Sequence, residues 1–96
     1  MKIATWNVNG IRARQGQLLE WLAAERPDIV CLQELKANPD QLPFDLRDLE
    51  GYWTGYHGDK GYSGVGLFIS KALVTTPPVF THPAFDFETR VISAEI

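Results

Sequence analysis

The feature that most limits how this chain can fold is a helical pattern between two short apolar segments. The apolar segments predict strands at residues 2–7 and Ile29–Leu32, and the second is apolar throughout, which is typical of a strand covered on both faces. A helix is predicted at residues 14–25, and Pro27 prevents it from continuing. The connection of about 21 residues exceeds the ~10–12 that a parallel crossover needs. We therefore expect an α/β fold in which the two strands lie parallel in one sheet.

The rest of the chain has the pattern of further strands joined by polar turns. Strands are predicted at Tyr52–His57 and Val65–Ile69, and the glycine-rich connection between them indicates an antiparallel pair. One helical turn is predicted at Leu46–Leu49, and a last strand at residues 90–96. The apolar face of the predicted helix comprises Leu18, Leu19, Trp21, Leu22 and Ala23. Neither an internal repeat nor a domain linker interrupts the sequence, so we expect its 96 residues to belong to one domain.

The charge balance excludes proteins that bind nucleic acid through bulk positive charge. The chain has nine Lys and Arg residues against twelve Asp and Glu residues, a net charge of −3. A nucleic-acid partner would therefore have to be held by a few local contacts. The acidic excess lies in residues 40–50, which we expect to form a solvated outer face; this stretch contains Asp40, Asp45, Asp48, Glu50 and a single cation, Arg47.

Cysteine content and hydropathy indicate the compartment. Cys31 is the single cysteine and lies inside an apolar run, so a disulfide framework and a cysteine-based zinc site are both excluded. The first residues lack a signal-peptide pattern, and no segment approaches the ~20 apolar residues of a membrane span. The sequence therefore predicts a soluble, cytoplasmic protein without a membrane partner.

Polar side chains follow the first two predicted strands at the point where each ends. Asn7 and Asn9 follow the first strand, and Glu34 follows the second. Because ligands gather at the carboxyl ends of parallel strands, we expect these side chains to share one edge of the sheet. Carboxylate and amide oxygens suit Mg²⁺. The alternative is that Glu34 is a solvated residue at the end of a strand and that the two asparagines only shape a turn.

The glycine-rich connection resembles a phosphate-binding loop only superficially. Residues 61–66 lack the Lys-Ser/Thr pair of a P-loop and lie between strands, so a nucleotide P-loop is rejected. Its glycines permit positive φ angles or a close approach of the backbone, which could present Tyr62 and Ser63 to a ligand. The alternative is a plain hairpin whose tyrosine covers the core.

Four cationic side chains lie near predicted strand ends. They are Arg12, Lys36, Lys60 and Arg90, and in those places they could contact phosphates. The alternative is that they are scattered surface charges. The two histidines, His57 and His82, have no aspartate at a recognisable spacing, so neither is predicted to act as a catalytic base.

Four segments of the chain form a specific combination. In order they are Trp6–Arg12, Pro27–Lys36, Gly61–Leu67 and Arg90–Glu95, and their most specific parts are Leu-Gln-Glu-x-Lys and Gly-Tyr-Ser-Gly-Val-Gly. In order and spacing this combination resembles the N-terminal motifs of the exonuclease III and apurinic/apyrimidinic (AP) endonuclease family. The resemblance covers essentially all 96 residues.

The resemblance implies a four-layered α/β sandwich with two mixed β-sheets, of which this chain is the N-terminal part. It also implies hydrolysis of DNA phosphodiesters that depends on Mg²⁺, with Mn²⁺ as a substitute. By position, Glu34 and Asn7 would be the catalytic and metal-site residues. Asn9 matches a position that the family fills with Asn or Asp. The residues implied to bind DNA are Asn9, Arg12, Lys36, Tyr62 and Arg90. Thr89 is a departure, since relatives commonly have glycine before this arginine.

The resemblance further implies double-stranded DNA with abasic sites or 3′ ends as the partner. The complete protein would be a monomer, associated with the nucleoid if the source is bacterial. The family's later motifs supply a tyrosine near the phosphate, an Asp-x-Asn pair, a further Asp, and a His with its Asp partner, and these motifs are absent from this sequence. We therefore expect residues 1–96 to be the N-terminal portion of a single catalytic domain in a longer DNA repair nuclease, inactive in isolation.

Two alternatives to this function stay open. The first is a phosphatase or phosphodiesterase of the same superfamily that acts on lipids or small nucleotides, because the metal-binding glutamate and the first-strand asparagine are shared across that group. The Gly-Tyr-Ser-Gly-Val-Gly segment and Arg12 favour DNA. The second is a DNA- or protein-binding remnant that keeps the fold without catalysis, against which the presence of Asn7 and Glu34 speaks.

Overall fold

The chain begins as alternating strands and helices and continues as β-structure. The computed structural model describes residues 1–59 and 61–96. Lys60, one of the four cations singled out above, therefore lies outside the described residues. The helices are α1 (Ile11–Glu25), a 3₁₀ turn (Pro39–Gln41) and α2 (Phe44–Arg47); the strands are β1 (Ile3–Asn7), β2 (Ile29–Gln33), β3 (Tyr52–Asp59), β4 (Tyr62–Ser70), β5 (Phe80–Thr81) and β6 (Ser93–Ala94).

The main sheet has four strands in the order β1-β2-β4-β3. Strands β1 and β2 pair in parallel, with Asn7 opposite Gln33, as the long helical connection predicts. Strand β4 pairs antiparallel with both β2 and β3, which confirms the predicted hairpin and makes the sheet mixed. The α/β class is therefore confirmed, and α1 with this sheet forms one helical layer and one mixed-sheet layer of the expected sandwich.

The predicted last strand is mostly wrong. Residues 90–96 were expected to be extended throughout, but only Ser93–Ala94 pairs, with Phe80–Thr81 in a short antiparallel ribbon. The physical reason is local, because the Asp86 carboxylate accepts hydrogen bonds from the backbone N–H of Arg90 and Val91. Those two donors are therefore not available to a strand ladder.

Helix α1 begins earlier than its apolar pattern predicts. It starts at Ile11 rather than at residue 14, because the N–H groups of Gly10 and Ile11 donate to the carbonyls of Glu34 and Leu35 at 2.8 and 2.9 Å. These bonds fasten the start of the helix to the segment after β2. This contact joins residues far apart in the chain, so no local pattern predicts it, and Ile11 is fully buried.

The core lies between α1 and the sheet. Its largest fully buried side chain, Phe68 of β4, belongs to one apolar cluster with Leu18 and Leu22 of α1 and with Val30 and Leu32 of β2. Ala23, predicted to lie on the apolar face of the helix, is instead exposed.

Strand β2 is buried on one face in the part of the chain that the structure describes. Val30 and Leu32 are buried, whereas the residues that alternate with them along the strand, Ile29, Cys31 and Gln33, are partly exposed. The predicted coverage of both faces is therefore not found among residues 1–59 and 61–96. Partial burial still raises the pKa of the Cys31 thiol, which lowers its reactivity as a nucleophile.

The acidic stretch lies at the surface, as the sequence predicts. The four carboxylate residues of the stretch are exposed, as expected of a solvated face: Asp40, Asp45, Asp48 and Glu50.

The predicted helical turn is present slightly earlier in the chain than predicted, as α2 at Phe44–Arg47. None of the helices in the described ranges is long and apolar enough to cross a membrane.

Candidate active site at the carboxyl ends of β1 and β2

An asparagine and a glutamate meet where the two parallel strands end. Asn7 is the last residue of β1, and Glu34 directly follows β2. The Asn7 Nδ2 donates a hydrogen bond to Glu34 Oε2, and the backbone N–H of Asn9 donates to Asn7 Oδ1 at 3.1 Å. Asn7 is therefore held by Asn9 on one side and holds the Glu34 carboxylate on the other. The sequence prediction that these three residues share one sheet edge agrees with this geometry.

The backbone around this pair adopts unusual conformations. Six described residues other than glycine have positive φ, and five of them lie at or beside this edge. The five, with φ between 45° and 54°, are Asn9, Glu34, Lys36, Ser63 and Thr89. A left-handed conformation costs about 1 kcal/mol or more for such residues and persists only where surrounding contacts enforce it. This concentration of strain at one edge is typical of a functional site.

Two cations extend the site on the side of α1. Arg12 Nη2 donates to the Lys36 carbonyl at 3.1 Å, and Lys36 Nζ donates to Asn9 Oδ1 at 2.5 Å. Asn9 therefore anchors the lysine ammonium as a neutral acceptor. The structure therefore links Asn9, Arg12 and Lys36 in one hydrogen-bonded group, which connects to the Glu34 carboxylate through Asn7.

A second cationic group lies at the glycine-rich end of β4. The Arg90 guanidinium donates from Nε to Glu88 Oε2 at 2.9 Å and from Nη2 to the Tyr62 hydroxyl at 3.1 Å. It also lies over the Tyr62 ring, with Cζ 5.5 Å from the ring centroid. Tyr62 is 56% exposed, which argues against the alternative that this ring covers the core.

A pair of hydroxyl groups lies between the Glu34 carboxylate and the Arg90 guanidinium group, in the cavity that both residues line. Ser63 Oγ and Thr89 Oγ1 are 2.9 Å apart and both side chains are buried. Gly64 donates its N–H to the Thr89 carbonyl at 3.0 Å and accepts from the N–H of Leu35 at 3.1 Å. A cavity of about 80 Å³ lies here, lined by Gln33, Glu34, Ser63, Gly64, Val65, Thr89 and Arg90. Glu34 and Arg90 therefore line one small cavity, although 56 positions separate them in the chain.

Thr89 keeps the turn that a glycine would make. Its φ is +54°, a conformation that β-branched residues rarely adopt. The hydroxyl of Thr89 contacts Ser63 Oγ and donates to the Glu88 carbonyl at 2.6 Å. These contacts compensate for the strain. The sequence departure at this position therefore does not remove the positive φ of the turn.

One polar cluster was missed by the sequence interpretation. His57 Nε2 lies 3.3 Å from Asp86 Oδ2 without the geometry of a hydrogen bond, and the His57 ring stacks on the His82 ring with the centroids 3.8 Å apart. Asp86 is 29 positions from His57 and follows a proline-rich loop, so no local spacing connects them. Only the approach of the loop to β3 creates the contact.

The donor set fits a hard cation such as Mg²⁺. Glu34 offers a carboxylate, and among the described residues no group donates a hydrogen bond to its Oε1. Mg²⁺ is commonly bound by one or two carboxylates together with water and substrate phosphate. The described residues contain no cluster of three or more His, Cys, Asp or Glu side chains able to hold a metal.

The sequence matches the model of the endonuclease/exonuclease/phosphatase family over residues 4–95. It is 38% identical over 102 residues to DNA repair nuclease APEX1 of Danio rerio, covering 99% of this chain and 32% of that protein. It is also 38% identical over 97 residues to an exodeoxyribonuclease of Bacillus subtilis, covering 99% of this chain and 38% of that protein. The chain thus spans about a third of the length of these relatives.

Solved structures agree with the sequence comparisons. An AP endonuclease from Archaeoglobus fulgidus is 34% identical with a TM-score of 0.81, covering 100% of this chain and 37% of that one. The 3′ phosphatase NExo from Neisseria, bound to a product DNA hairpin, is 37% identical with a TM-score of 0.80, covering 100% of this chain and 37% of that one. The resemblance inferred from four short motifs is therefore confirmed, and the chain belongs to the endonuclease/exonuclease/phosphatase family.

Proposed function

We propose that this chain supplies the metal-binding and part of the phosphate-binding machinery of a cytoplasmic, Mg²⁺-dependent DNA repair nuclease. The substrate is double-stranded DNA with abasic sites or 3′ ends, and the reaction is hydrolysis of a phosphodiester. The observation that carries the proposal is the Asn7–Glu34 pair at the sheet edge, which connects to Lys36 through Asn9 and shares a cavity with Arg90. Its relatives are named as DNA repair and exonuclease proteins, and one related structure holds product DNA.

Glu34 is the residue proposed to hold the ion, Mg²⁺ or Mn²⁺. When bound, the ion offsets negative charge that develops on the phosphate oxygens during hydrolysis. Asn7 directs its nitrogen toward the carboxylate, so in this arrangement it orients Glu34. Direct coordination by Asn7 would use its amide oxygen, which already accepts the N–H of Asn9. Its role as a metal ligand stays a prediction.

The cations and Tyr62 are proposed to hold DNA phosphates. Arg12 and Lys36 connect to Glu34 through Asn9 and Asn7, whereas Arg90, which contacts Tyr62, lines one cavity with Glu34. A guanidinium can bind a phosphate through two hydrogen bonds, an ammonium binds it as a point charge, and a tyrosine hydroxyl can donate a further hydrogen bond to it. Local contacts of this kind agree with a chain whose net charge is negative.

One experiment separates the proposed function from its alternatives. The full-length gene product that contains this chain is incubated with a duplex bearing one abasic site, and separately with a phosphoinositide, each with Mg²⁺ and with EDTA. We expect Mg²⁺-dependent incision of the duplex and little release of phosphate from the lipid. Vigorous lipid hydrolysis without DNA incision would favour the phosphatase alternative, and DNA binding without incision would favour a non-catalytic remnant.

Replacing Lys36 with alanine is expected to weaken DNA binding in a salt-dependent way. If Lys36 contacts one phosphate, Lys36→Ala reduces the slope of log K against log salt concentration by about one unit. The slope is measured by fluorescence anisotropy with a labelled abasic duplex. Lys2→Ala is the matched control, because Lys2 is exposed, pairs with Glu25 and precedes β1 at the opposite end of that strand. Equal slopes for the wild type and Lys36→Ala would remove Lys36 from the phosphate contacts.

A further inference from the structure

We propose that Asp86 is a positioning residue for Arg90, fixing the backbone from which the Arg90 guanidinium reaches toward DNA. Asp86 Oδ1 accepts from the Arg90 N–H and Oδ2 accepts from the Val91 N–H, both at 2.8 Å. The inference rests on the proposed function, because it gives Asp86 its effect through a residue assigned to bind phosphate. Nothing in the sequence motifs points to Asp86, which lies outside all four of them.

The loop that carries Arg90 has little apolar packing to hold it. Phe85 and Phe87, the large apolar side chains on either side of Asp86, are 74% and 90% exposed. The Asp86 side chain points inward and is only 4% exposed. Buried polar contacts, rather than a hydrophobic core, therefore define the conformation of this loop.

The other side of the Asp86 carboxylate faces β3. His57 Nε2 lies 3.3 Å from Oδ2, and the His57 ring stacks on His82, which lies in the same loop region as Asp86. Burial alone would raise the pKa of Asp86, but hydrogen bonds from the Arg90 and Val91 N–H groups, and the nearby histidines, bring the pKa below its ordinary value. Asp86 is therefore ionised at neutral pH, and its carboxylate lies between the arginine loop and β3 of the main sheet.

The backbone that Asp86 holds is that of Arg90 itself, from which the arginine side chain extends. Thr89, with φ of +54°, sets the direction of the chain, and the next N–H is the one that Asp86 accepts. From there the guanidinium reaches Glu88 Oε2 and the Tyr62 hydroxyl. Without the carboxylate, the N–H groups of Arg90 and Val91 lose the acceptor that the structure shows, and the start of the arginine side chain is no longer held.

The sign of the effect on DNA binding separates positioning from charge. Removing a carboxylate makes the protein less negative, which by itself strengthens binding to DNA. A positioning role predicts the opposite, because a loosely held arginine must be ordered when DNA binds. Asp48→Ala is the matched control, since Asp48 is also an aspartate but is exposed in the acidic stretch far from Arg90 in the sequence.

The test is a double-mutant cycle on affinity for a labelled abasic duplex, made in the full-length gene product. We expect Arg90→Ala to weaken binding about tenfold, the usual effect of losing hydrogen bonds to a charged group. Asp86→Ala should weaken binding nearly as much, and the double variant no further than Arg90→Ala alone. Asp86→Asn should be intermediate, because an amide oxygen can still accept one of the two N–H groups, and Asp48→Ala should bind equally or more tightly.

Several outcomes would overturn the inference. Asp86→Ala binding as tightly as Asp48→Ala would show that only charge matters, and additive losses in the cycle would show that Asp86 acts independently of Arg90. An unchanged affinity for Arg90→Ala would remove the contact on which Asp86 acts. Asp86→Asn retains the size of the side chain, so the cycle can be completed with it if the alanine variant does not fold.

A measurement without DNA keeps the inference distinct from the proposed function. Amide hydrogen exchange at Arg90 and Val91, followed by NMR, is expected to accelerate at least about tenfold in Asp86→Ala while global stability stays close to that of the wild type. Unchanged exchange overturns positioning even if DNA binding is normal. Failure of the wild type to bind DNA at all overturns the proposed function, and accelerated exchange would still support Asp86 as the residue that holds this backbone.

Discussion

Glu34→Gln is expected to lower kcat/KM for incision of an abasic duplex about a thousandfold in the full-length gene product, equivalent to about 4 kcal/mol of transition-state stabilisation. The substitution keeps the shape of the side chain but removes its negative charge. A glutamine oxygen can still accept the hydrogen bond that Asn7 Nδ2 donates, so the local fold should persist. The expected loss therefore reports the missing charge opposite a divalent cation.

The measurement is incision of a labelled abasic duplex at several Mg²⁺ concentrations, with Glu50→Gln as the control. Glu50 is exposed in the acidic stretch, so its substitution changes the net charge equally and should leave kcat/KM within about twofold of the wild type. DNA affinity in EDTA should remain for Glu34→Gln, which would separate loss of metal binding from loss of substrate binding. Incision by Glu34→Gln at close to the wild-type rate would exclude Glu34 as the metal-binding residue.

Leu22→Ala is expected to lower the free energy of unfolding by about 2–5 kcal/mol. Leu22 is only 4% exposed and packs in the cluster that joins α1 to the sheet. Shortening the side chain removes apolar contacts and leaves a cavity that the surrounding side chains cannot fully close. The loss should be large because Leu22 lies at the contact between this helix and the buried face of the main sheet.

Urea denaturation followed by far-UV circular dichroism measures this change in the purified protein. Glu20→Ala is the control, because Glu20 is exposed on the same helix and its substitution should change stability by less than about 0.5 kcal/mol. A loss below about 0.5 kcal/mol for Leu22→Ala would mean that this face of the helix is not packed as the structure shows.

The site was partly predictable because its first residues follow strand ends. Asn7 and Glu34 could be placed together from the strand-helix-strand pattern, since parallel strands bring their carboxyl ends to one edge. The resemblance to a nuclease family then assigned roles to Arg12, Lys36 and Arg90. Two of the hydrogen-bond partners were not predictable, because they are remote in the chain: the Lys36 ammonium reaches Asn9, and Arg90 reaches Tyr62.

The last strand shows where sequence patterns stop being sufficient. Residues 90–96 contain the β-branched residues Val91, Ile92 and Ile96, which are common in strands, yet the N–H groups of Arg90 and Val91 donate to the Asp86 side chain instead of to another strand. A side-chain acceptor competes with the ladder for the same N–H groups, and local pattern does not reveal which acceptor wins. The contact between His57 and Asp86 was not predictable either, because the two residues are 29 positions apart and no local spacing connects them.

The sequence by itself determined the α/β class, the parallel β1–β2 pair, the hairpin of β3 and β4, and the presence of Asn7 and Glu34 at one sheet edge. These follow from periodicity, turn residues and the length of one connection, all of which are local properties. Only the tertiary structure decided which cations meet that edge and how Asp86 holds the arginine loop. Those arrangements depend on contacts between residues distant in sequence, whose formation is governed by packing and by competition among hydrogen-bond partners.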